Sequence, residues 1–190
     1  EYDRARTTDA LPQSGAGKTI MTTELKFVPD EAIAIEVKEG ITAKIRLVDC
    51  VGYAGEGALG FKEANGPRMV RTPWYDHPIA FEEAAEIGTR KVITDYSTMG
   101  ILVTTDGSIT DLPREAYVPA EERAVSELQE LNKPFIVVLN STHPHDDETV
   151  ALAGELEEKY QVPVMPTDVA ELDEDGIMGI LEEILFEFPV

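Results

Sequence analysis

Strand-like and helix-like segments alternate through the second half of this chain, and the alternation limits the folds open to it. The clearest strand lies at residues 134–140, where Phe-Ile-Val-Val-Leu places five apolar residues in a row, as a strand covered on both faces requires. Shorter apolar runs at Gly100–Thr105 and at residues 162–165 indicate two more strands. Because helical segments separate the three strands, right-handed crossovers and a parallel sheet are expected.

The apolar spacing typical of helices recurs between and around these strands. The four predicted helices lie at residues 81–98, 119–131, 146–160 and 177–186. Upstream, two β-rich runs at residues 32–37 and 43–48 flank Lys38-Glu39-Gly40 and predict a hairpin, which adds one antiparallel member to the sheet. The order ββ, α, βα, βα, βα is most of a three-layer α/β fold of the P-loop NTPase type (Ras-like, TRAFAC GTPase-type). The first strand, the phosphate loop and the first helix of that fold have no counterpart.

The chain of 190 residues corresponds to one domain, and about a quarter of it is Leu, Ile, Val or Phe, which is enough for a buried core. We therefore interpret residues 1–190 as one partial P-loop NTPase domain. Residues 1–31 are polar and interrupted by Pro and Gly, which indicates a switch-like loop. Residues 52–80 have no clear apolar period and are interpreted as a long insertion of the switch-II type.

The charge of the chain argues against one large class of partners. The chain carries 37 acidic and 16 basic residues, a net charge of −21, and residues 115–190 alone hold 19 acids and 3 bases. Because such a surface repels phosphate backbones, nucleic-acid binding is not expected. The single cysteine, Cys50, excludes an intrachain disulfide and a cysteine zinc cluster, and it is typical of a reduced cytosolic compartment.

The tripeptide Gly17-Lys18-Thr19 has the ending of a phosphate-binding loop but not its context. The full pattern G-x-x-x-x-G-K-[ST] places its first glycine at position 12, where this chain has Pro12. No strand is predicted before the tripeptide and no long helix after it, although phosphate binding of this kind uses the amino end of a helix. We therefore interpret Lys18 as a loop lysine.

A stronger signal is the D-x-x-G sequence that begins at Asp49 and ends at Gly52, directly after the second strand of the predicted hairpin. A carboxylate at the carboxyl end of such a strand can hold Mg²⁺ through a water molecule. A glycine three residues later allows its backbone N–H to approach the γ-phosphate of a nucleotide. Asp49 is therefore predicted to serve the metal, and Gly52 to bind the nucleotide.

Two threonines, Thr22 and Thr23, lie just before the hairpin. In Ras-like NTPases a threonine of this segment bonds the γ-phosphate and its Mg²⁺, because a hydroxyl is a small neutral ligand. Either residue is therefore a candidate sensor of the γ-phosphate. Two threonines in a loop are common, so this prediction depends on their position before the hairpin.

The loop after the clearest strand reads Asn140-Ser141-Thr142-His143 where a guanine-specific site has N-K-x-D. The asparagine is kept, and Asn140 and Ser141 are predicted to bind the nucleotide on its base side. The aspartate that would hold guanine through two hydrogen bonds is absent, which favours ATP or low base selectivity. His143 and His145 are interpreted as residues of a solvated loop, because further metal ligands would have to come from elsewhere.

Five longer runs make the chain resemble the stage IV sporulation protein A family, the spore-coat morphogenetic ATPases of endospore-forming bacteria. These runs are Thr19-Ile-Met-Thr-Thr-Glu, Leu47-Val-Asp-Cys-Val-Gly-Tyr, Gly66-Pro-Arg-Met-Val-Arg-Thr-Pro-Trp, Ile87-Gly-Thr-Arg-Lys-Val-Ile-Thr-Asp and Thr104-Thr-Asp-Gly-Ser-Ile-Thr-Asp. The resemblance extends over nearly the whole chain, and runs of this length are far more specific than the short motifs.

The resemblance implies a domain of the translation-factor GTPase class that hydrolyses ATP with Mg²⁺. Hydrolysis would drive self-polymerisation into a basement layer on the outer forespore membrane, in the mother-cell cytoplasm. Other regions of the whole protein would contact a small amphipathic membrane-anchor peptide and other spore-coat morphogenetic proteins. The resemblance also implies that Thr22 and Thr23 act as sensors, that Asp49 serves Mg²⁺ and that the phosphate loop lies upstream of residue 1.

Without a phosphate loop, this chain alone is expected to bind ATP poorly and to hydrolyse it negligibly. The lysine and backbone N–H groups of such a loop supply much of the stabilisation of a phosphoryl-transfer transition state. Two alternatives to an ATPase stay open. One is a non-catalytic self-assembling structural module, and the other is a GTPase, which the mismatch at residues 140–143 disfavours.

Overall fold

The computed structural model describes residues 14–15, 19–20, 26–54, 57, 62–63 and 66–187. The chain divides into two compact units. The first, which we call the hairpin unit, comprises residues 1–36 and 40–97, and the second, the sheet unit, comprises residues 37–39 and 98–190. Of the helices in the described part of the chain, none combines the length and the apolar character that a membrane span needs.

Two long strands form the predicted hairpin: β1 spans Lys26–Lys38 and β2 spans Ile41–Asp49. The turn between them uses Gly40, whose φ of +78° is accessible to glycine at little cost. β1 begins at residue 26 and not at residue 32 as predicted. Near this end of the strand, the guanidinium of Arg46 in β2 lies over the Phe27 ring at 4.8 Å from its centroid, a cation–π contact between the two strands.

Three short antiparallel strand pairs accompany the hairpin, each with two residues per strand. They are Ser14–Gly15 with Thr19–Ile20, Lys62–Glu63 with Gly66–Pro67, and Met69–Val70 with Ile79–Ala80. The predicted switch-like loop of residues 1–31 thus contains one pair and the beginning of β1, and its other residues lie outside the described part of the chain. The predicted insertion of residues 52–80 contains the other two pairs and, among its described residues, no helix.

The first helix, α1, spans Phe81–Lys91 and continues as a π-helical turn over Val92–Tyr96. Acids in the first turn of α1 and bases in its last turn complement the helix dipole. The predicted helix of residues 81–98 is confirmed up to residue 91. Beyond it the backbone hydrogen bonds span five residues instead of four, as in the bond at 3.0 Å that the N–H of Ser97 donates to the carbonyl of Val92. The buried core beside α1 consists of Phe81 and Ala85 with Val51, Ala54 and Val70 packed against them.

Three parallel strands form the sheet of the sheet unit in the order β5-β4-β3. β3 spans Gly100–Thr105, β4 spans Phe135–Asn140 and β5 spans Val164–Thr167. The central strand β4 is buried over its five apolar residues, as predicted for a strand covered on both faces. The α/β class and the parallel sheet are thereby confirmed. Among the described strands, β1 and β2 pair only with each other.

Three helices pack on this sheet: α2 spans Val118–Glu130, α3 spans Asp147–Tyr160 and α4 spans Glu174–Phe186. Two short 3₁₀ turns, Arg114–Ala116 and Val169–Glu171, come before α2 and α4. All three helices begin within three residues of their predicted starts. The apolar spacing that predicted these helices is typical of a helix that buries one side against a sheet.

The two faces of the sheet contact different helices. Side chains alternate along a strand, so Ile136 and Val138 of β4 point to one face, where Ile184 of α4 packs against them. On the other face, the beginning of β3 lies close to α2. A Cβ atom added at Gly100 would lie 3.1 Å from Cδ2 of Leu128, so glycine permits this close approach.

The face over β3 is covered less completely than the face over β4. Ile101 and Val103 pair in register with Ile136 and Val138 and share their face. Their side chains are nevertheless 38% and 57% exposed, against 0% and 2% for their partners in β4. The helix α4 therefore covers β4 and leaves an apolar surface over β3, which we call the β3 patch.

Candidate functional site

The carboxyl ends of the three parallel strands bring three loops to one edge of the sheet unit. β3 ends at Thr105, β4 at Asn140 and β5 at Thr167, and these three residues are neighbours in register. In open α/β sheets ligands bind at this edge, because groups from several loops converge there. This edge is therefore the candidate ligand site of the sheet unit.

Asp106, the first residue after β3, is the centre of a hydrogen-bond network at this edge. Its Oδ1 accepts bonds from the N–H of Ser108 at 2.9 Å and from the hydroxyl of Ser108 at 2.6 Å, and its Oδ2 accepts one from the hydroxyl of Thr149 at 3.3 Å. Burial opposes the charged form, but hydrogen bonds from Ser108, Ser141 and Thr149 hold the pKa of Asp106 below its ordinary value. The charged carboxylate is thus stabilised by the protein itself.

Two serine hydroxyls fix the loop after β4. The hydroxyl of Ser108 accepts the N–H of Thr142 at 3.0 Å, and the hydroxyl of Ser141 accepts the N–H of His143 at 2.8 Å. Ser141 is fully buried. Both hydroxyls also bond Asp106, so the loops after β3 and β4 belong to one network.

Asn140 connects the loop after β4 with the loop after β5. Its Oδ1 accepts the N–H of Val169 at 3.1 Å. In the same loop, Oδ1 of Asp168 accepts the N–H of Ala170 at 3.1 Å and caps the short 3₁₀ turn. Asn140 therefore holds two neighbouring loops in a fixed relation at the carboxyl edge.

A buried ion pair connects elements close to this edge. Glu121 of α2 has 1% of its side chain exposed, and its Oε2 lies 2.6 Å from Nη1 of Arg114. The hydroxyls of Thr104 and Tyr160 each donate to the same carboxylate at 2.5 Å. Burial opposes the charge, but these partners lower the pKa of Glu121, while burial and the nearby carboxylate raise the pKa of Tyr160. Glu121 of α2 thus connects to Tyr160 of α3 and to Thr104 of β3. Thr104 lies two residues before Asp106 in the sequence.

Neither Asp106 nor Glu121 is among the residues predicted from the sequence. The signal for Asp106 is Asp-Gly-Ser directly after a strand, because such a carboxylate readily bonds the N–H two residues further on. The signal for Glu121 is its spacing, since it lies four residues before Val125 on the buried side of α2. Both signals are visible in the sequence, but neither identifies the bonding partners outside its own segment.

Asp49 is the last residue of β2 in the hairpin unit and is half-buried. Burial raises the pKa of its carboxyl above the ordinary value of 3.8, and a hydrogen bond from the N–H of Cys50 offsets only part of this shift. A divalent cation beside the carboxylate would lower the pKa again, because it favours the charged form. The environment of Asp49 therefore suits a ligand that brings positive charge.

Gly52 lies in the turn after β2 with a φ of +81°, a conformation that favours glycine. Burial raises the pKa of the neighbouring Cys50 thiol, although hydrogen bonds from the N–H of Gly52 and from Thr89 act in the opposite direction. The N–H of Gly52 is thus directed at the sulfur atom. Its predicted contact with a γ-phosphate requires this turn to change.

The structure places the predicted site residues in separate groups. Asp49 and Gly52 lie in one turn of the hairpin unit, and Asn140 and Ser141 lie in one loop of the sheet unit. Thr22 and Thr23 fall outside the described residues. The meeting of these groups around one nucleotide stays a prediction.

Mg²⁺ fits the donor chemistry of Asp49. The ion prefers carboxylate and water oxygens, and one or two carboxylates usually hold it together with substrate phosphates. Within the described ranges, no group of three or more acidic, histidine or cysteine side chains is arranged to hold a metal ion. An ion bound at Asp49 would take further ligands from elsewhere, and the phosphates of a nucleotide are donors of the right chemistry.

Comparison with known proteins gives one family. The family model for the stage IV sporulation protein A ATPase domain matches residues 1–189. Stage IV sporulation protein A of Bacillus subtilis (strain 168) is 55% identical over 190 residues, which cover 100% of this chain and 39% of that protein. The proteins of the same name from Bacillus anthracis and Clostridioides difficile (strain 630) are 55% and 53% identical, with the same coverage. No solved structure matches the chain significantly.

These comparisons agree with the resemblance seen in the longer sequence runs. The chain spans 39% of the length of the curated relatives that it matches. The family model extends over the hairpin unit and over the sheet unit, so both belong to the same match. This chain therefore belongs to the family of the stage IV sporulation protein A ATPase domain.

Proposed function

We propose that the chain is the larger part of an ATP-hydrolysing domain, in which hydrolysis drives the polymerisation of a spore-coat scaffold. The observation that carries the proposal is the family match over residues 1–189. The network of polar loops at the carboxyl edge of the sheet unit supports it, because nucleotides bind at such edges in α/β sheets. The proposed reaction converts ATP and water to ADP and phosphate with Mg²⁺.

The carboxyl edge of the sheet unit is the proposed base side of the nucleotide site. Asn140 ties the loop after β4 to the loop after β5, and Ser141 holds the backbone of His143. Loops held in this way present their backbone groups in fixed positions, which reduces the entropy lost when a ligand binds. Ser141 is buried, so its proposed contribution is to shape the loop beneath the nucleotide.

The β3 patch supports the proposal that a further strand and helix complete the sheet in the whole protein. A P-loop unit consists of a strand, the phosphate loop and a helix, and the helix packs on the sheet. Ile101 and Val103 are exposed on a face where such a helix would bury them, which would contribute about 25 cal/mol per Å² of apolar surface. The proposed enzyme is therefore the intact protein with its lysine-bearing phosphate loop.

In the proposed mechanism the residues of this chain place charge and hydrogen bonds around the transferred phosphoryl group. Asp49 would hold Mg²⁺ through a water molecule, and the ion, when bound, would neutralise phosphate charge. The N–H of Gly52 contacts the γ-phosphate once the turn at Cys50 changes, and Thr22 or Thr23 bonds the same group. Loss of the γ-phosphate removes a ligand from both segments, which couples hydrolysis to a change of shape.

Self-association is the proposed output of hydrolysis. The hairpin supports it, because Ile41 and Leu47, which alternation places on one face of β2, are about half exposed and offer apolar surface that a second copy can bury. From the resemblance we propose that the whole protein polymerises on the outer forespore membrane, in the mother-cell cytoplasm. There, other regions of it would contact a small amphipathic membrane-anchor peptide and other spore-coat morphogenetic proteins.

The exposed apolar hairpin also favours a second candidate, a non-catalytic self-assembling module in which nucleotide has no role. Assembly that is unchanged by ATP and by its non-hydrolysable analogues would support this module against the ATPase. A GTPase is a third candidate, and the absent aspartate after Asn140 argues against it. Strong competition of GTP against ATP would support the GTPase.

The test of the proposed function uses the full-length protein and measures phosphate release and ATP-dependent sedimentation. We expect Asp49→Asn to lower turnover by roughly 100-fold or more, because the metal loses its anchoring charge. The double substitution Thr22→Ala with Thr23→Ala should abolish ATP-dependent assembly. Asp30→Asn is the matched control, since Asp30 is an exposed acid of the same hairpin. Wild-type turnover in both the Asp49 variant and the double variant would contradict the assigned roles.

A further inference from the structure

Two backbone N–H groups of the loop after β4 are already engaged by the protein. The N–H of Thr142 donates to Ser108 at 3.0 Å, and the N–H of His143 donates to Ser141 at 2.8 Å. Thr142, His143 and Ser108 are exposed, so a ligand at the carboxyl edge can reach this loop. By accepting these two N–H groups, Ser108 and Ser141 reduce the number of backbone donors that the loop can offer to such a ligand.

Asp106 fixes the direction in which Ser108 bonds. The hydroxyl proton of Ser108 is donated to Oδ1 of Asp106 at 2.6 Å, and this leaves the oxygen of the hydroxyl to accept the N–H of Thr142. Because hydrogen bonds hold the pKa of Asp106 low, its carboxylate remains charged at neutral pH. It therefore accepts the hydrogen bond from the Ser108 hydroxyl and donates none. Ser108 therefore acts as an acceptor toward the loop.

The two purine bases differ in what they need from such a loop. Adenine carries an amino donor at position 6, whereas guanine carries a carbonyl acceptor at the same position. A loop whose N–H groups are engaged offers mainly carbonyl oxygens to the base, and these match the amino group of adenine. A free N–H would instead match O6 of guanine.

We infer that Asp106 and Ser108 determine base selectivity: by engaging the N–H of Thr142, they make the loop after β4 favour adenine over guanine nucleotides. The inference rests on the proposed function, because it assumes that the base binds at the carboxyl edge of the sheet unit. Asp106 is a positioning residue, since it acts through Ser108.

The test compares the full-length protein with the substitution Ser108→Ala, which removes one exposed hydroxyl and frees the N–H of Thr142. The readout is the ratio of the dissociation constants for GTP and ATP. We expect discrimination against GTP to fall roughly fivefold to tenfold, mainly through tighter GTP binding. Ser126→Ala is the matched control, an exposed serine of α2, and it should leave the ratio unchanged. Ser108→Thr keeps the hydroxyl and should retain the wild-type ratio.

A second variant, Asp106→Ala, leaves Ser108 in place and removes the acceptor that orients it. We expect the ratio to move in the same direction as in Ser108→Ala. An unchanged ratio in folded Ser108→Ala protein, or equal weakening of ATP and GTP binding, would overturn the inference and leave ATP hydrolysis standing. Failure of the wild-type protein to bind either nucleotide would instead overturn the proposed function.

Discussion

The hairpin unit and the sheet unit each place an aspartate at the carboxyl end of a strand with a glycine close behind it. Asp106 of the sheet unit is bonded by Ser108 and Thr149, and hydrogen bonds lower its pKa. Asp49 of the hairpin unit is half-buried, and burial raises its pKa. The protein thus stabilises the charge of one carboxylate with its own donors and disfavours the charge of the other.

This difference is the one expected between a residue that supports the fold and the metal ligand that we propose at Asp49. A carboxylate with several protein donors stabilises the loops around it and gains little from a cation. A carboxylate whose charged form is disfavoured gains more when a cation arrives, as expected of a metal ligand. Both residues are aspartates at the carboxyl end of a strand, so their different environments account for the opposite directions of their pKa shifts.

The largest expected effect tests whether carboxylates of the sheet unit support the fold. The substitution Glu121→Ala removes the ion-pair partner of Arg114 in a site where 15% of the arginine side chain is exposed. We expect the free energy of unfolding to fall by about 3–5 kcal/mol, the cost of breaking a buried ion pair. Chemical unfolding of the full-length protein measures the loss, and hydrogen exchange in β3 locates it.

The control for this prediction is a neighbouring acid of the same helix. Glu122 pairs with Lys159 at 2.6 Å, and both side chains are about half exposed. We expect Glu122→Ala to cost less than about 1 kcal/mol, because water screens an exposed ion pair. Equal losses for the two substitutions would contradict a supporting role for the buried pair.

The next effect concerns Asp106 itself. Asp106→Ala removes the acceptor of hydrogen bonds from Thr105, Ser108 and the buried Thr149. We expect a loss of about 1–3 kcal/mol in the free energy of unfolding, since donors then lack an acceptor. Glu115→Ala, an exposed acid just before α2, should leave the stability nearly unchanged. An unchanged free energy of unfolding in Asp106→Ala would contradict the supporting role that distinguishes Asp106 from Asp49.

The third effect has the opposite sign. Asp49→Asn removes a charge that burial disfavours, so we expect the free energy of unfolding without nucleotide to rise at neutral pH. Solvent screening at this half-buried position limits the gain to roughly 0.5 kcal/mol or less. Thermal unfolding measures it beside the turnover assay, and the variant should gain stability while it loses activity. Lower stability in the variant would show that Asp49 supports the fold as Asp106 does.

The smallest effect is a difference in pH dependence. The lowered pKa of Asp106 means that its stabilisation is present above the ordinary value of 3.8 and is lost as the pH falls through the lower value of the folded state. The raised pKa of Asp49 has the reverse consequence, since stability falls as the pH rises through the raised value. The gain from Asp49→Asn should therefore disappear as the pH falls below 3.8. Melting curves from acid to neutral pH test this, and a gain that persists in acid would contradict the raised pKa.

The fold could be predicted where local pattern and burial agree. The bounds of β3 are those predicted, and β4 is recognisable because its apolar run matches its burial on both faces. The π-helical turn Val92–Tyr96 could not be predicted. Its residues keep the composition of a helix, and only the spacing of the backbone hydrogen bonds changes.

For the candidate site, the position of a residue could be predicted where a short motif identifies it, and its role stays a prediction. The D-x-x-G sequence points to Asp49 and Gly52, and Asp49 does end β2. The bond from Thr142 to Ser108 joins residues 34 positions apart, so no local pattern contains it. Glu121 occupies a first helical turn, where an acid is expected for the helix dipole alone. Tertiary contacts, and not local preference, therefore set these roles.

The lack of a side chain at Gly100 affects the packing at both ends of β3. It lets Leu128 approach to a distance that a Cβ atom would crowd, and the helix that carries Leu128 also carries Glu121, which bonds Thr104. A larger residue at position 100 would push this helix outward and strain the Thr104 contact roughly 13 Å further along the strand. A substitution at this one glycine would thus change the geometry at the carboxyl end of β3, the edge where we propose that the nucleotide binds.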